Sequence, residues 1–161
     1  MEIYFANFSS PLGNMEIIAS KHAVHALHFT EIRNVPSSQI PKILSECMQQ
    51  LEEYFNGKRK IFSVNTEQKG TDFQKLIWKH LEDIPYGKTV SYLDVAKKSG
   101  DEKSVRAVGN ANGKNKIPII IPCHRVIGTN DSLIGYSGGL WRKQWLLDHE
   151  KKYTYGIQKL F

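Results

Sequence analysis

The sequence predicts an α+β fold, with a small N-terminal α/β domain followed by a mostly helical C-terminal domain that contains a helix-turn-helix. In the first 35 residues, short apolar runs alternate with turn signals, which indicates a short antiparallel sheet. The next segment carries apolar residues on one helical face, which indicates a single helix beside that sheet. From Thr71 onward, serine, threonine and glycine residues divide the chain into helical segments.

Three strands and one helix are expected in the N-terminal domain. The helix extends from about Ser38 to Phe55, because four apolar residues recur on one face and Gly57 ends the pattern. The polar segment Lys58–Gly70 is the expected linker, so the domains are placed at residues 1–65 and 66–161. The predicted strands are Ile3–Phe8, Met15–Ala19 and Val24–Phe29, with a turn over Ser9–Asn14. The apolar helical positions are Leu44, Met48, Leu51 and Phe55, and Cys47 is expected to lie in the core beside them.

Three helices are expected before residue 115 in the C-terminal domain, each preceded by a capping residue. The first extends from Thr71 to about Asp83, and its inward residues are Phe73, Leu76, Ile77, Leu81 and Ile84. The second is Tyr92–Lys98 with Ser91 as its cap, and the third extends from Val105 to about Asn112 with Ser104 as its cap and Gly113 at its end. Two short helices joined by a tight turn that contains glycine are typical of a helix-turn-helix.

The third of these helices is unusual because nearly all of its side chains are small. Gly109 costs a helix interior about 1 kcal/mol relative to alanine, so small size must matter there. A slim helix with Arg106 as its one long side chain suits the minor groove of a duplex better than the major groove. A purely structural helix pair is the alternative.

The charge of the chain also points to nucleic acid. The formal net charge of +6 lies entirely in residues 71–161, where 15 Lys and Arg outnumber 9 Asp and Glu. A basic half beside a neutral one favours a polyanionic partner, although a merely solvated basic surface is possible on charge alone. No stretch approaches the roughly 18 apolar residues that span a bilayer, and the N-terminus lacks a signal-peptide pattern. With only Cys47 and Cys123, a reducing cytoplasm is expected.

The candidate chemistry lies at Cys123, which precedes His124 and follows the apolar run Ile119–Ile121. Thiols react as thiolates, so a reactive cysteine needs a nearby base. Neighbours on an extended segment point to opposite sides, so a water or a turn would have to connect the thiol and the imidazole. A buried structural cysteine at a strand end is the alternative.

Two features downstream could complete a site. The glycine loop, Gly135–Leu140, places three glycines around Tyr136, which suits a lid over a flat ligand. A helix is expected from Trp141 to Glu150. Glu150 would then lie at a helix C-terminus, where the macrodipole disfavours a negative charge, and this mismatch suggests a partner such as His124.

Residues 70–150 resemble the O6-alkylguanine-DNA alkyltransferases, also called methylated-DNA–protein-cysteine methyltransferases. Residues 1–65 resemble the family only in outline, through the Pro11–Gly13 turn and the strand pattern. The motifs that carry the resemblance are Gly70–Gln74, Ile84–Gly87, Val90–Tyr92, Ser104–Gly109, Asn115, Ile121–Val126, Gly135–Leu140 and Leu146–Glu150.

The resemblance implies a DNA repair protein that flips O6-alkylguanine from duplex DNA and moves the alkyl group irreversibly to Cys123, once per molecule. Glu150 would accept a proton from His124, His124 would act on Cys123 through a water, and Tyr92 would protonate the departing guanine. Arg106 would fill the gap left by the flipped nucleotide. The implied substrate-binding residues are Tyr92, Tyr136, Ser137, Asn115 as a hinge, and Cys123 and Val126 through their backbone carbonyls. The implied DNA-binding residues are Ser91, Arg106, Ala107, Gly109 and Arg125.

The resemblance implies no cofactor, and the chain is expected to act as a monomer on double-stranded DNA without a membrane. Some relatives carry zinc in the N-terminal domain. The histidines here, His22, His25 and His28, are three apart and would alternate between the faces of a strand, so no metal site is expected. Three other functions are weighed: a helix-turn-helix DNA-binding protein in which Cys123 is structural, a relative that flips alkylated bases without transfer, and a Cys–His hydrolase. The second replaces the cysteine, and the third would need an oxyanion hole.

Overall fold

The computed structural model describes residues 1–129 and 134–155, which form two compact units, Met1–Gln68 and Lys69–Phe161. Residues 130–133 and 156–161 of the predicted C-terminal domain lie outside this description. Along the described part of the chain, no helix combines the length and the apolar character needed to cross a bilayer.

The N-terminal unit is an antiparallel three-stranded sheet with one helix packed against it. The strands β1 (Tyr4–Ser10), β2 (Gly13–Ala19) and β3 (Val24–Phe29) follow one another in sheet order. The helix α1 (Lys42–Phe55) contacts all three strands. Alternate side chains of β2 enter the core, and one face of α1 completes it, as expected for a sheet with one buried face. Its fully buried side chains include Met15, Ile17, Leu44, Cys47, Leu51 and Tyr54.

Both edges of this sheet are covered by the chain itself. Ser37 exchanges hydrogen bonds with Phe5 on β1, with its backbone N–H donating at 3.1 Å and its Oγ accepting at 3.0 Å. On the other edge, the Val24 N–H donates to Asn65 O at 2.9 Å and the Glu67 N–H donates to Val24 O at 3.0 Å. The segments that connect the elements therefore occupy the hydrogen-bonding groups that an open edge would expose.

Several element boundaries differ from the prediction in this unit, at both ends of β1 and at the starts of β2 and α1. The strand β1 continues to Ser10 rather than ending at Phe8, so the hairpin turn shrinks to two residues, with Gly13 at φ +111° starting β2. The helix α1 starts at Lys42 rather than Ser38. Pro41 is its N-cap with an extended backbone, and the ring of a proline disfavours helical geometry in the residue before it.

The C-terminal unit begins with helices whose caps form as the sequence predicts. The helix α2 (Asp72–Glu82) has a capping box in which the Thr71 side chain and the Gln74 side chain satisfy each other's backbone N–H groups. The short strand β4 (Val90–Ser91) leads into α3 (Tyr92–Lys98), where Ser91 forms the same box with Asp94. One inward position of α2 is wrong, because Leu76 is 41% exposed and Trp78 is buried instead.

A 3₁₀ turn (Glu102–Ser104) precedes the helix α4 (Val105–Gly113), and together with α3 they form the helix-turn-helix. The cap predicted for Ser104 is absent, because its hydroxyl donates to Asp101 O at 2.6 Å while the Asp101 side chain caps the 3₁₀ turn. The buried Trp78 Nε1 donates to Ala111 O at 2.8 Å, which fixes α2 against α4. Gly70 allows this packing, since a Cβ there would lie 2.5 Å from the Trp78 ring.

The remaining elements differ most from the prediction. The run Ile119–Ile121 is a buried turn rather than a strand, and Ile119 has a φ of +73°, which is rare for a β-branched residue. A second 3₁₀ turn (Cys123–Arg125) leads into β5 (Val126–Ile127), which pairs in parallel with β4. The helix α5 extends over Leu140–Tyr155, five residues beyond the predicted end at Glu150.

Candidate active site

The site is built around the 3₁₀ turn that carries Cys123, His124 and Arg125, all of which are buried. The turn is held by the Cys123 N–H donating to Ile121 O at 2.8 Å and the Arg125 N–H donating to Pro122 O at 3.1 Å. The predicted extended geometry is therefore wrong. Because successive residues of a 3₁₀ helix point in directions about a third of a turn apart, thiol and imidazole need not lie on opposite sides.

The Glu150 carboxylate on α5 accepts hydrogen bonds from four donor groups, which belong to two residues of the 3₁₀ turn and to Gly87. Its Oε2 accepts from His124 Nε2 at 2.6 Å and from Arg125 Nη2 at 3.0 Å. Its Oε1 accepts from Arg125 Nε at 2.8 Å and from the Gly87 N–H at 3.2 Å. The predicted contact with His124 is present, but its predicted reason is wrong, since Glu150 lies inside α5 rather than at its end.

The protonation states of this cluster follow from its burial and its hydrogen bonds. Burial alone would raise the pKa of Glu150, but the hydrogen bonds from His124 and Arg125 and the charge of Arg125 outweigh it and hold that pKa well below the ordinary range. Burial lowers the pKa of His124, with Arg125 and Lys143 acting in the same direction and Glu150 opposing them. The cluster is therefore an ionised Glu150 carboxylate beside a neutral His124 imidazole.

The tautomer of His124 follows from the same contacts. An ionised carboxylate only accepts hydrogen bonds, so the proton of the neutral imidazole lies on Nε2. Nδ1 then carries the lone pair, and it has no hydrogen-bond partner within residues 1–129 and 134–155. A buried, unprotonated ring nitrogen next to a cysteine has the form required of a general base.

The Cys123 thiol is only 3% exposed, and burial raises its pKa to about 11. A hydrogen bond from Asn115 and the charge of Lys143 act against burial. Asn115 also donates from Nδ2 to Ile121 O at 2.8 Å and accepts the Ile117 N–H at 3.1 Å. Asn115 thereby connects the end of α4 to the backbone segment that leads to Cys123. This is the position at which the resemblance predicts a hinge.

The glycine loop is fastened beside the thiol by two side chains. The Tyr92 hydroxyl donates to Ile134 O at 3.1 Å, and Lys143 Nζ donates to Ile134 O at 2.7 Å and to Gly135 O at 3.1 Å. Burial and the charge of Cys123 raise the pKa of both Tyr92 and Tyr136, so both are protonated phenols. The buried Tyr136 hydroxyl has no partner in the described part of the chain, whereas Ser137 is exposed.

One small residue of the helix-turn-helix, Gly109, lies near Tyr92. Arg106 and Ala107 are exposed on α4, and Gly109 faces Tyr92, since a Cβ at Gly109 would lie 4.0 Å from the tyrosine ring. Ser91 is partly buried, and its side chain is the cap of α3. Ala107 and Arg106 are thus open to a partner, whereas a methyl group at Gly109 would make only an ordinary van der Waals contact with Tyr92.

The predicted DNA contact of Arg125 is contradicted. Its guanidinium is buried, and its third nitrogen, Nη1, donates to Ile84 O at 2.7 Å in addition to the two bonds to Glu150. An arginine with Nε, Nη1 and Nη2 all engaged inside the fold has no free face for a phosphate.

Comparisons with known proteins agree across both units. Residues 3–68 match the family model described as 6-O-methylguanine DNA methyltransferase, ribonuclease-like domain, and residues 72–152 match the model described as its DNA binding domain. The constitutive methylated-DNA–protein-cysteine methyltransferase of Bacillus subtilis is 42% identical, over 92% of this chain and 95% of the relative. The chain belongs to the methylated-DNA–protein-cysteine methyltransferase family.

Other members of this family agree in sequence and fold. The methyltransferase of Methanosarcina acetivorans is 42% identical over 92% of this chain and 98% of its own. The crystal structure of the O6-methylguanine methyltransferase of Mycobacterium tuberculosis superposes with a TM-score of 0.85 at 39% identity over 99% of both chains. A complex of that species' protein with DNA matches with a TM-score of 0.85 at 40% identity, over 92% of this chain and 93% of that chain. The predicted α+β fold is confirmed.

Three residues of the site were not predicted from the sequence as parts of the methyltransferase machinery. Lys143 approaches Cys123 and the glycine loop, Asn112 donates to Cys123 O at 3.4 Å, and Gly87 donates to Glu150. Burial lowers the pKa of Lys143 to about 8. Its position within the helical pattern of α5, on the same side as Leu146 and Glu150, was the available signal, since a lysine there faces inward.

The histidines considered for the zinc site of some methyltransferases have other roles here. The His25 ring hydrogen-bonds Glu67 O and Ser20 Oγ, both at 2.9 Å, and His22 and His28 are exposed. Across the described ranges, no three His, Cys, Asp or Glu side chains come together in a group that could hold a metal ion.

Proposed function

We propose that this protein repairs O6-alkylguanine in duplex DNA by transferring the alkyl group to its own Cys123, once per molecule. The observation that carries the proposal is the buried series Cys123, His124 and Glu150, in which the carboxylate fixes the imidazole with Nδ1 as the base. Relatives with 42% identity over most of this chain are named as methyltransferases that use a protein cysteine as the acceptor.

The proposed reaction is a single displacement. His124 Nδ1 takes the thiol proton through one water molecule, and the thiolate attacks the alkyl carbon. The bond from that carbon to the guanine oxygen breaks, its electron pair stays with guanine, and Tyr92 supplies a proton to the base. The His124 imidazolium then releases its proton to solvent and the Tyr92 phenolate regains one from solvent. The net reaction moves one proton from the thiol to guanine and leaves Cys123 as a thioether. No group in the site can hydrolyse a thioether, so the cysteine is consumed.

The substrate is proposed to reach the thiol by base flipping. The slim, exposed face of α4 approaches the minor groove, and Arg106 occupies the gap left by the flipped nucleotide. The guanine then lies beside Tyr136 with its oxygen near the Ser137 N–H. The carbonyls of Cys123 and Val126 face its amino group. The excess of basic residues in 71–161 supports attraction to the DNA backbone.

Three further assignments belong to the same proposal. The transfer needs no cofactor, because the alkyl group moves from the substrate to the chain itself. The reaction requires a reduced thiol, and both cysteines are free, which supports a reducing compartment such as the cytoplasm. One chain is proposed to act alone as a monomer, which size-exclusion chromatography of the free protein and of its DNA complex will test.

The test of the transfer is an intact mass of the protein after reaction with a duplex that contains one O6-methylguanine. We expect a gain of one methylene on the peptide of Cys123, complete at one protein per lesion, and no gain in Cys123→Ala. The matched control is Cys47→Ala, since Cys47 is buried in the N-terminal unit and burial raises its pKa to about 12. A protein that binds the duplex but stays unmodified would instead support a helix-turn-helix binding protein, and methylation of Cys47 would refute the assignment of the acceptor.

A second test addresses base flipping. Arg106→Ala is expected to slow repair of the duplex much more than reaction with free O6-methylguanine base, because the arginine acts only when a base stack is present. Lys79→Ala removes an exposed cation from α2 and serves as the control for general charge. Equal losses of rate on duplex and free base would contradict the role of Arg106.

A further inference from the structure

The Arg125 side chain is the largest group in the site that the proposed reaction does not use. It lies between α5 and the end of α2, with Nε and Nη2 bonded to the two oxygens of Glu150 and Nη1 bonded to Ile84 O. The Tyr86 ring packs 5.6 Å from the guanidinium carbon. Such a fork fixes both the position and the rotation of the carboxylate, which a single hydrogen bond from His124 would not do.

Burial of the imidazole favours its neutral form, and the charges around the ring act on this in opposite directions. Glu150 favours the imidazolium, and Arg125, in direct contact with Glu150, offsets part of that effect. A lone buried carboxylate 2.6 Å from Nε2 would favour the imidazolium form, and an imidazolium cannot accept a proton from the thiol. The fork therefore lets the Glu150 carboxylate orient the His124 ring while the ring stays neutral.

We propose that Arg125 is a positioning residue for the alkyl transfer: its guanidinium holds the Glu150 anion against His124 Nε2 and keeps the imidazole neutral, with Nδ1 as the base. This proposal rests on the proposed function, since it assumes that His124 takes the proton of Cys123. The Gly87 N–H completes the arrangement by donating to the oxygen that Nε of Arg125 also contacts.

Other charged and titratable groups face the imidazole and set the background for this effect. Lys143, on α5, acts on His124 in the same direction as Arg125, so the arginine is not the sole cation near the ring. Within the described residues, the charged groups that act on His124 are Glu150 and Lys143 from α5 and Arg125 from the 3₁₀ turn.

The test compares the single-turnover rate of Cys123 methylation across pH for the wild-type protein and Arg125→Met. The pKa of His124 lies below its ordinary value of 6.5, so this group does not limit the wild-type rate above that pH. Removing the guanidinium leaves the negative charge of Glu150 without the cation that contacts it, which raises the pKa of His124. Where this rise carries the pKa of His124 about one unit above its ordinary value, the variant is about tenfold slower at the ordinary histidine pKa than at its own alkaline plateau.

A second variant and a direct measurement keep the test decisive if Arg125→Met does not fold, since an unpaired buried carboxylate is strongly destabilising. Arg125→Lys keeps the cation but loses the fork, and we expect a smaller shift in the same direction. Nitrogen NMR of the His124 ring in the DNA-free protein should show Nδ1 unprotonated in the wild type and protonated in the variants at the same pH. The matched control is Arg59→Met, which breaks a comparable bond, from Arg59 Nε to Glu53 Oε1 at 2.8 Å, in the N-terminal unit and should leave the profile unchanged.

The outcomes separate this inference from the function on which it rests. If wild-type Cys123 is methylated but the folded variants keep the wild-type pH profile and ring signals, the role of Arg125 is refuted and the function stands. The role is also refuted if the variants lose activity equally at every pH with unchanged ring signals, because the arginine would then be only structural. If wild-type Cys123 is not methylated, the proposed function itself fails.

Discussion

Replacing Gly87 with alanine tests how closely the turn after α2 must fit against α5. Gly87 has a φ of +78°, and a Cβ at this position would lie 2.3 Å from Thr154 Oγ1 and 3.0 Å from Thr154 Cβ. The Gly87 N–H also donates to Glu150 Oε1 at 3.2 Å. Gly87→Ala therefore combines a strained backbone with a clash and displaces a donor from the site.

The magnitude can be worked out by comparison with Gly100. The left-handed conformation costs an alanine about 1–2 kcal/mol, and forcing a methyl group into a packed contact adds about 1–3 kcal/mol. Gly100 has a φ of +100°, and a Cβ there would meet no other atom within 4 Å, so Gly100→Ala carries only the first cost. We expect Gly87→Ala to be less stable than Gly100→Ala by about 1–3 kcal/mol.

The assay is urea unfolding followed by tryptophan fluorescence. All three tryptophans, Trp78, Trp141 and Trp145, lie in the C-terminal unit, so the signal reports on the unit that carries the substitution. A difference of about 2 kcal/mol moves the urea midpoint by about 1 M when m is about 2 kcal/mol/M. Adding Thr154→Ala to Gly87→Ala removes the closest atom and should restore part of the loss. Equal midpoints for Gly87→Ala and Gly100→Ala would refute the packing argument.

Three shorter predictions concern other parts of the C-terminal unit. Thr71→Ala should cost about 1 kcal/mol in urea unfolding because it removes a capping box, whereas Ser104→Ala should cost less because that residue does not cap α4. Trp78→Phe should lose about 1 kcal/mol, measured in the same way through the remaining tryptophans, because the buried Ala111 carbonyl loses its donor. Lys143→Met should slow methylation most below pH 8, where the lysine is charged and favours the thiolate, so the wild-type advantage should shrink as the pH rises through about 8. A pH-independent ratio of rates would assign Lys143 to holding the glycine loop alone.

The features predicted correctly from the sequence depend on residues close together in the chain. The caps at Thr71 and Ser91 involve partners three residues away, so the local pattern contains all that is needed. The strand Val24–Phe29 has the predicted bounds for the same reason. Ser104 shows the limit of such reasoning, because Asp101 competes for the same position and a 3₁₀ turn forms between them.

The features predicted wrongly depend on contacts that extend beyond a single helix or strand. Arg125 looks like an exposed cation in a basic half, and only the approach of Glu150, 25 residues away, buries it. The run Ile119–Ile121 has the composition of a strand, yet it lies in a turn. The Asn115 side chain donates a hydrogen bond to the Ile121 carbonyl of this turn. A contact between Glu150 and His124 is predicted on the ground that Glu150 ends a helix. The contact forms for a different reason, because α5 continues past Glu150 and carries its carboxylate into the core. No pattern within one element could contain these pairings.

The fate of the methylated protein follows from the burial of its acceptor. Cys123 is 3% exposed, and its sulfur interacts with Asn115 and with the charge of Lys143. A methyl group on that sulfur replaces the thiol hydrogen and adds volume to a packed site, which costs about 1–3 kcal/mol. The methylated protein should therefore unfold at lower urea than the unmodified protein, by about 0.5–1.5 M for an m of about 2 kcal/mol/M.

The measurement uses one preparation, half of it methylated to completion with the O6-methylguanine duplex and then separated from DNA. An ethylated sample, made with O6-ethylguanine, adds one more methylene to the same site and should be less stable again if volume is the cause. If only the loss of the S–H group mattered, the methylated and ethylated proteins would have the same midpoint. Equal stability of the unmodified and methylated proteins would show that the site relaxes around the new group, and the packing argument would then be wrong.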